Sequence, residues 1–237
     1  MASIYGRKSV LETIDAGENI KKAHILDNKG KNHKLIDKII NKLEAENVPI
    51  FYEDKDYFSK ISGNHQGVEI EVEDYKYKDL DDLKDKKRLM ILDQIEDPHN
   101  LGAIIRSAEA FGFDGIIISE RRSAKVNSTV YKTSAGAINN IDIAMVKNIN
   151  RAIKEIKKEN FWVYGLAGEA DGDITQTDLR GKIALVVGNE GKGLSRLVRE
   201  NCDGLIKIPM LGKINSLNAS VASAIAIYES LRQNGFN

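Results

Sequence analysis

Cysteine is nearly absent. Cys202 stands alone in 237 residues, which excludes an internal disulfide and fits a reducing compartment. Histidine is sparse: His24, His33, His65 and His99 are scattered, no pair has metal-ligand spacing, and no metal is expected. No apolar run approaches the roughly 20 residues needed to cross a membrane. The opening MASIYGRKSVLETI lacks the apolar core of a signal peptide, so a cytoplasmic protein is expected. Net charge is missing too, since 35 Lys and Arg balance 35 Asp and Glu. That disfavours a protein coating nucleic acid non-specifically, but it leaves room for local basic patches.

What is present suffices for a core, with 42% hydrophobic residues. Residues 1–75 read as a small α/β unit. Arg7 to Asp15 suggests a short helix and Ala23 to Leu26 a strand. Leu35, Ile36, Ile39, Ile40 and Leu43 recur at helical spacing within Lys31 to Asn47. Val48 to Tyr52 predicts a strand with Pro49 near its start. Val68, Ile70 and Val72 alternate with Glu69, Glu71 and Glu73, the pattern of a half-exposed strand. From Asp74 to Arg88, eleven of fifteen residues are charged, so residues 76–87 read as an inter-domain connection.

Residues 88–237 repeat strand, turn and helix. Strands are expected at Leu89–Leu92, Gly115–Ser119, Ile141–Val146, Phe161–Leu166, Lys182–Val187 and Leu205–Ile208. Several are unbroken runs of Ile, Leu and Val, as in strands buried on both faces of a parallel sheet. Helices are expected at Leu101–Phe111, Ser128–Ile138, Ile149–Glu159, Leu194–Asn201 and Ser216–Arg232. The result is an open, mostly parallel α/β sheet of six strands, whose ligands belong at the carboxyl ends of the strands.

Three motifs fall at such ends. In the first, Pro98 breaks a strand, Asn100 occupies an expected helix N-cap, Gly102 permits close backbone approach, and Arg106 follows six residues after Asn100. Asn and Arg suit a phosphate or ribose, although a capped helix with a surface arginine fits the same residues. In the second, Val187 runs into Gly188-Asn189-Glu190-Gly191-Lys192-Gly193. Such turns cradle nucleotides, but the spacing is neither a P-loop nor a dinucleotide fingerprint. In the third, Ile208-Pro209-Met210 ends a strand and Ser216-Leu217-Asn218-Ala219-Ser220 opens a helix. Ser216 is a good cap, which leaves Asn215 and Asn218 unexplained.

In this order, the three motifs resemble the SpoU (TrmH-like) branch of the SPOUT RNA 2′-O-ribose methyltransferases. The match rests on Asn100, Gly102 and Arg106, then Gly188, Glu190 and Gly193, then Ile208 to Met210 with Ser216 to Ser220. Ser107 stands where a threonine is common in the family. Tyr5-Gly6 and His65-Gln66-Gly67-Val68 resemble the substrate domain of the 23S rRNA guanosine-2′-O-methyltransferases, which is L30e-like.

The resemblance implies S-adenosyl-L-methionine as cofactor, a deep trefoil knot near the C-terminus, and a homodimer. It implies cofactor contacts at Leu166, Ala167, Gly168, Gly188, Asn189, Gly191, Ile208, Met210, Ser216, Leu217 and Asn218. It implies catalytic roles for Arg106, Asn100, Glu190, Ser216 and Asn218. The family sometimes treats the arginine matched by Arg106 as a base; a guanidinium is a poor one, and the alternative is that Arg106 holds phosphate and stabilises developing alkoxide.

For RNA, two basic clusters are candidates. Lys21 to Lys42 holds seven lysines and two acids, with Lys21, Lys22 and Lys34 as named contacts. Arg121, Arg122, Lys125 and Lys132 have no acid between them. The rival readings are a tRNA 2′-O-methyltransferase, a non-catalytic RNA-binding protein, and a nucleotide-dependent dehydrogenase or NTPase. The last lacks its phosphate fingerprint after the first strand.

Overall fold

The chain folds as two units, Met1–Lys76 and Tyr77–Asn237, in a computed structural model that describes residues 2–27, 34–61, 65–214 and 216–235. The first unit contains β1 (Ala2–Tyr5), α1 (Arg7–Asp15), β2 (Ile20–Leu26), α2 (Lys34–Ala45), β3 (Ile50–Glu53), α3 (Lys55–Ser59) and β4 (Val68–Val72). Its sheet runs β1-β4-β2-β3. Val68, Ile70 and Val72 join Ala23 and Ile25 in a core closed by Val10 and Ile14 of α1 and by Ile36, Ile39 and Leu43 of α2. Residues 31–33 of the expected second helix lie outside the described residues.

The alternating strand is not half-exposed. β4 sits between β1 and β2, and Glu69 on its polar face is only 7% exposed. The Tyr57 hydroxyl of α3 donates to Glu69 Oε2 at 2.9 Å, and Lys22 pairs with Glu71 at 2.8 Å. His24 stacks on Phe51 and Tyr57, with Nδ1 2.8 Å from Glu53 Oε1. Burial and the nearby carboxylates, Glu69 first, raise the Tyr57 hydroxyl pKa above its ordinary value. At five residues, α3 is too short to give a periodic signal, so the cover it supplies was not foreseen.

The second unit holds β5 (Arg88–Asp93), α4 (Pro98–Ala110), β6 (Gly115–Ser119), α5 (Ser128–Ser134), β7 (Asp142–Val146), α6 (Ile149–Lys158), β8 (Trp162–Leu166), β9 (Gly172–Asp173), β10 (Ile183–Gly188), α7 (Arg196–Asn201), β11 (Gly204–Lys207) and α8 (Ala219–Asn234). Its sheet runs β7-β6-β5-β10-β8-β11-β9, and every pairing is parallel. Six strands were expected; the seventh, β9, is a two-residue edge strand. Ile149, Ala152, Ile153 and Ile156 put one face of α6 into the core beneath Leu89, Ile91 and Val186.

The charged stretch is not a free connection. From Tyr77 onward it belongs to the second unit. Lys78 N donates to Ile143 O at 2.9 Å, and the Tyr77 hydroxyl accepts from Val126 N at 2.8 Å. Leu83, in a 3-10 turn, is fully buried in the sheet core. Two leucines three residues apart anchor a segment whose composition is otherwise that of a linker.

α4 packs against α5 and α8. Gly102 makes this possible, since an added Cβ would lie 1.8 Å from Thr133 Oγ1. The approach anticipated at Gly102 is therefore to a helix. Cys202 packs against the core beside Leu205, and burial pushes its thiol pKa up to about 12. Among the described residues, no helix is long and apolar enough to cross a membrane.

Candidate functional site

Parallel strands bring the loops after β5, β6, β8, β10 and β11 to one edge of the sheet, where the three motifs meet. Pro98 occupies the first turn of α4, and Asp97 is the N-cap, accepting from His99 N at 2.9 Å. Asn100 is therefore not the cap. It lies inside the first turn with its side chain free to point elsewhere, and its Nδ2 donates to Glu190 Oε1.

Asn218 completes the group. Its Nδ2 reaches Glu190 Oε1 at 3.0 Å and Asn100 Oδ1 at 3.1 Å. Its Oδ1 caps α8, accepting from Ser220 N at 2.9 Å and Val221 N at 3.3 Å. Ser216, expected as that cap, stands three residues before the helix. Asn215 lies outside the described residues. One residue from each motif thus meets at a single carboxylate oxygen.

Beside this group is a cavity of 680 Å³. Its lining includes Leu166, Ala167, Gly168, Gly188, Asn189, Gly191, Ile208, Met210, Ser216 and Leu217, every expected cofactor contact except Asn218. Glu190 also faces it, but Asn100 and Arg106 do not line it. Sequence reading missed Glu169 and Arg199, an ion pair on the wall, because one comes from the loop after β8 and the other from α7, 30 residues on.

The glycine loop owes its shape to Gly188. An added Cβ there would meet Gly193 C at 2.3 Å and Leu194 N at 2.4 Å, so the loop folds back directly over it. Gly193 turns the chain at φ 65. Asn189 has its side chain committed to backbone: Nδ2 to Gln94 O at 3.1 Å, and Oδ1 from Gly191 N at 3.0 Å and Lys192 N at 3.3 Å.

Arg106 is not brought to the cluster. Six residues along α4 correspond to about 9 Å of rise and about 240° of rotation from Asn100. It is exposed and has no hydrogen bond or ion pair among the described residues.

Of the RNA candidates, Lys22 is neutralised by Glu71, whereas Lys34 is exposed and unpaired among the described residues. Lys21 and Lys132 are exposed. Arg121 and Arg122 are exposed on the loop after β6. That loop is tied to the first motif by Ala124 N donating to Ile95 O at 2.7 Å. Lys125 Nζ donates to Ser119 O at 3.1 Å, and burial lowers its pKa. The described residues contain no cluster of three or more metal-binding side chains.

Known proteins resemble this chain in sequence and fold. Residues 3–78 match the family described as RNA 2′-O ribose methyltransferase substrate binding, and residues 87–228 match the SpoU rRNA Methylase family. An uncharacterized tRNA/rRNA methyltransferase of Synechocystis is 41% identical over 99% of this chain, which spans 63% of that protein's length. The 23S rRNA (guanosine-2′-O-)-methyltransferase RlmB of Escherichia coli K12 is 40% identical, covering 97% of this chain and 98% of that protein. The crystal structure of an AdoMet-bound rRNA methyltransferase from Sinorhizobium meliloti superposes with a TM-score of 0.68 at 25% identity, over 97% of this chain and 86% of the other. With the second match spanning more than half the sequence, the chain belongs to the SpoU rRNA Methylase family.

Proposed function

We propose that this chain is an S-adenosylmethionine-dependent methyltransferase acting on the 2′-hydroxyl of a ribose in RNA, a guanosine of 23S rRNA. The observation that carries the reading is the meeting of Asn100, Glu190 and Asn218 at the mouth of the 680 Å³ cavity. The cavity's size is that of small-molecule sites, and its apolar walls at Leu166, Ile208 and Leu217, with backbone groups of the glycine loop between, suit an adenine and a thioether chain. When bound, the cofactor supplies a methyl carbon already activated by its sulfonium.

The chain's residues then orient and deprotonate. Glu190 Oε1 is occupied by two amide donors, which leaves the other oxygen to accept the ribose hydroxyl's hydrogen bond and take its proton as the methyl group is transferred. Asn100 and Asn218 fix that carboxylate in place. Arg106 stands apart from this cluster in its own chain, so in the homodimer proposed below it serves the partner's site, where it holds the target phosphate and stabilises negative charge developing on the 2′-oxygen. Arg121 and Arg122, on the same sheet edge, supply further phosphate contacts.

Two further features belong to the proposal. The chain pairs as a homodimer through α8, where Val221, Ile225 and Tyr228 form a partly exposed apolar stripe at 46%, 38% and 47%. The C-terminal segment is knotted; placement of β10 between β5 and β8 and packing of α8 on α4 are consistent with such a path.

Calorimetry with S-adenosylmethionine, followed by methyl incorporation into unmodified 23S rRNA and into tRNA, tests the reading. Binding heat and ribose methylation of 23S rRNA are expected. Methylation of tRNA alone would move the substrate. RNA binding without cofactor binding would make the protein a non-catalytic binder.

A further inference from the structure

Asp93 ends β5 directly opposite Gly188 of β10, and it is only 5% exposed. It lies where the loops after β5 and β10 part, at the crevice that binds ligands in sheets of this kind. A buried carboxylate is costly unless cations or hydrogen-bond donors satisfy it. Asp93 has no ion-pair partner among the described residues. Its Oδ2 accepts one backbone bond, from Ser195 N at 2.7 Å. Ser195 is where the glycine loop ends and α7 begins.

The next residue holds the loop's other end. Gln94 adopts φ 64, in the left-handed region, and its carbonyl accepts from Asn189 Nδ2 at 3.1 Å. Two consecutive residues of the first motif therefore tie down both ends of the segment 189–195. Between the ties, Gly193 N donates to Asn189 O at 2.7 Å, and Glu190 reaches out to Asn100 and Asn218.

We infer that Asp93 is a positioning residue: by fixing Ser195 N, it sets the glycine loop that walls the cofactor cavity and the place of Glu190 within it. Asn189 does the same at the other end, so its side chain acts on the loop rather than on the cofactor. The inference rests on the cofactor reading above for its consequence, but not for the clamp itself.

The test compares wild type with Asp93→Asn, Asp93→Ala, Ser195→Pro and the double variant Asp93→Ala/Ser195→Pro. Ser195 has φ −63, which suits proline, so this substitution removes the donor; it also sets a ring carbon against the Asp93 carboxylate, a crowding that the double variant relieves. Three readouts are taken well below the melting temperature: amide hydrogen exchange of residues 189–195, S-adenosylmethionine affinity, and kcat. Asp93→Ala should weaken cofactor binding by about tenfold, lower kcat, and speed exchange in this segment alone. Ser195→Pro should lose at least as much, and the double variant should be no worse than either single one. Asp93→Asn keeps an acceptor and should stay within about threefold of wild type.

Unchanged affinity and kcat in folded Asp93→Ala would overturn the inference. So would losses that merely follow the unfolded fraction, or a loss in Asp93→Asn as large as in Asp93→Ala. If Asp93→Ala fails to fold, Ser195→Pro and Asp93→Asn decide. If wild type gives no binding heat, the cofactor reading falls, and the exchange measurement still judges the clamp.

Discussion

The two units handle polar side chains in opposite ways. In the first, polar groups sit within strands and find partners on a neighbouring strand or on a covering helix: Lys22 with Glu71, His24 with Glu53, Glu69 with Tyr57 of α3. In the second, β5 is apolar from Leu89 to Leu92 and changes character only at Asp93, and β10 is apolar up to Gly188. Polar groups there gather beyond the strands, where they face a cavity. Mid-strand polar residues with partners across the sheet stabilise a fold. Polar residues at strand ends, converging on open space, are available for chemistry.

The sharpest way to break this contrast is Arg106→Ala. Arg106 supports no described contact, so its loss should leave the fold and cofactor affinity unchanged while single-turnover methyl transfer falls by about a hundredfold or more. Full turnover by the variant would remove Arg106 from the reaction.

Gly188→Val comes next. The added Cβ would collide with the backbone of Gly193 and Leu194, so the loop itself must open. Cofactor affinity should fall at least about tenfold and stability by about 1–3 kcal/mol. Denaturant unfolding alongside calorimetry reads both, and undiminished affinity would show that the loop does not shape the cavity.

Dividing the units tests their independence. A chain beginning at Tyr77 should fold, bind S-adenosylmethionine and sediment as a dimer, with RNA methylation strongly reduced. Starting at Lys87 instead removes Leu83 and should cost about 2–5 kcal/mol. Equal stability of the two chains would return residues 77–86 to the status of a linker.

Smaller effects separate paired from unpaired lysines. Lys34→Ala should weaken RNA binding by a few fold and reduce its salt slope by about one, whereas Lys22→Ala should leave both unchanged. Equal effects would mean that the Glu71 pair does not matter to RNA.

A separate effect, on stability rather than on activity, concerns Glu18, buried with Oε1 unpartnered among the described residues and its pKa pushed up by burial from 4.5 to about 7. Between those values the folded state holds a proton that the unfolded state releases. The stability it contributes is present below pH 4.5 and lost as pH rises through about 7. Thermal unfolding of Glu18→Gln should show a flatter decline across that window and higher stability than wild type at pH 8.

Much of the second unit was legible because its strands are long apolar runs broken by glycine and proline, signals that survive without tertiary context. The cavity wall was legible for the same reason, since each motif follows a strand. What could not be read depends on distant neighbours. Whether Glu69 is wet or buried is decided by α3, and whether Leu83 lies in a linker or a core is decided by the sheet it meets. Asn100 was expected as the helix cap, but Asp97, three residues earlier, is an equally good cap residue and takes the position. Asp93 did carry a signal, an acid closing an apolar strand, but its partner lies 102 residues away.

The burial of Cys202 has a practical consequence. With its pKa pushed up by burial to about 12, the half-buried thiol is very little ionised at neutral pH, and only the thiolate reacts with alkylating reagents. The protein is thus a low background for thiol chemistry. A cysteine introduced at Leu211, fully exposed on the loop above the cavity, would take up a fluorophore alone and report on that loop as ligands arrive.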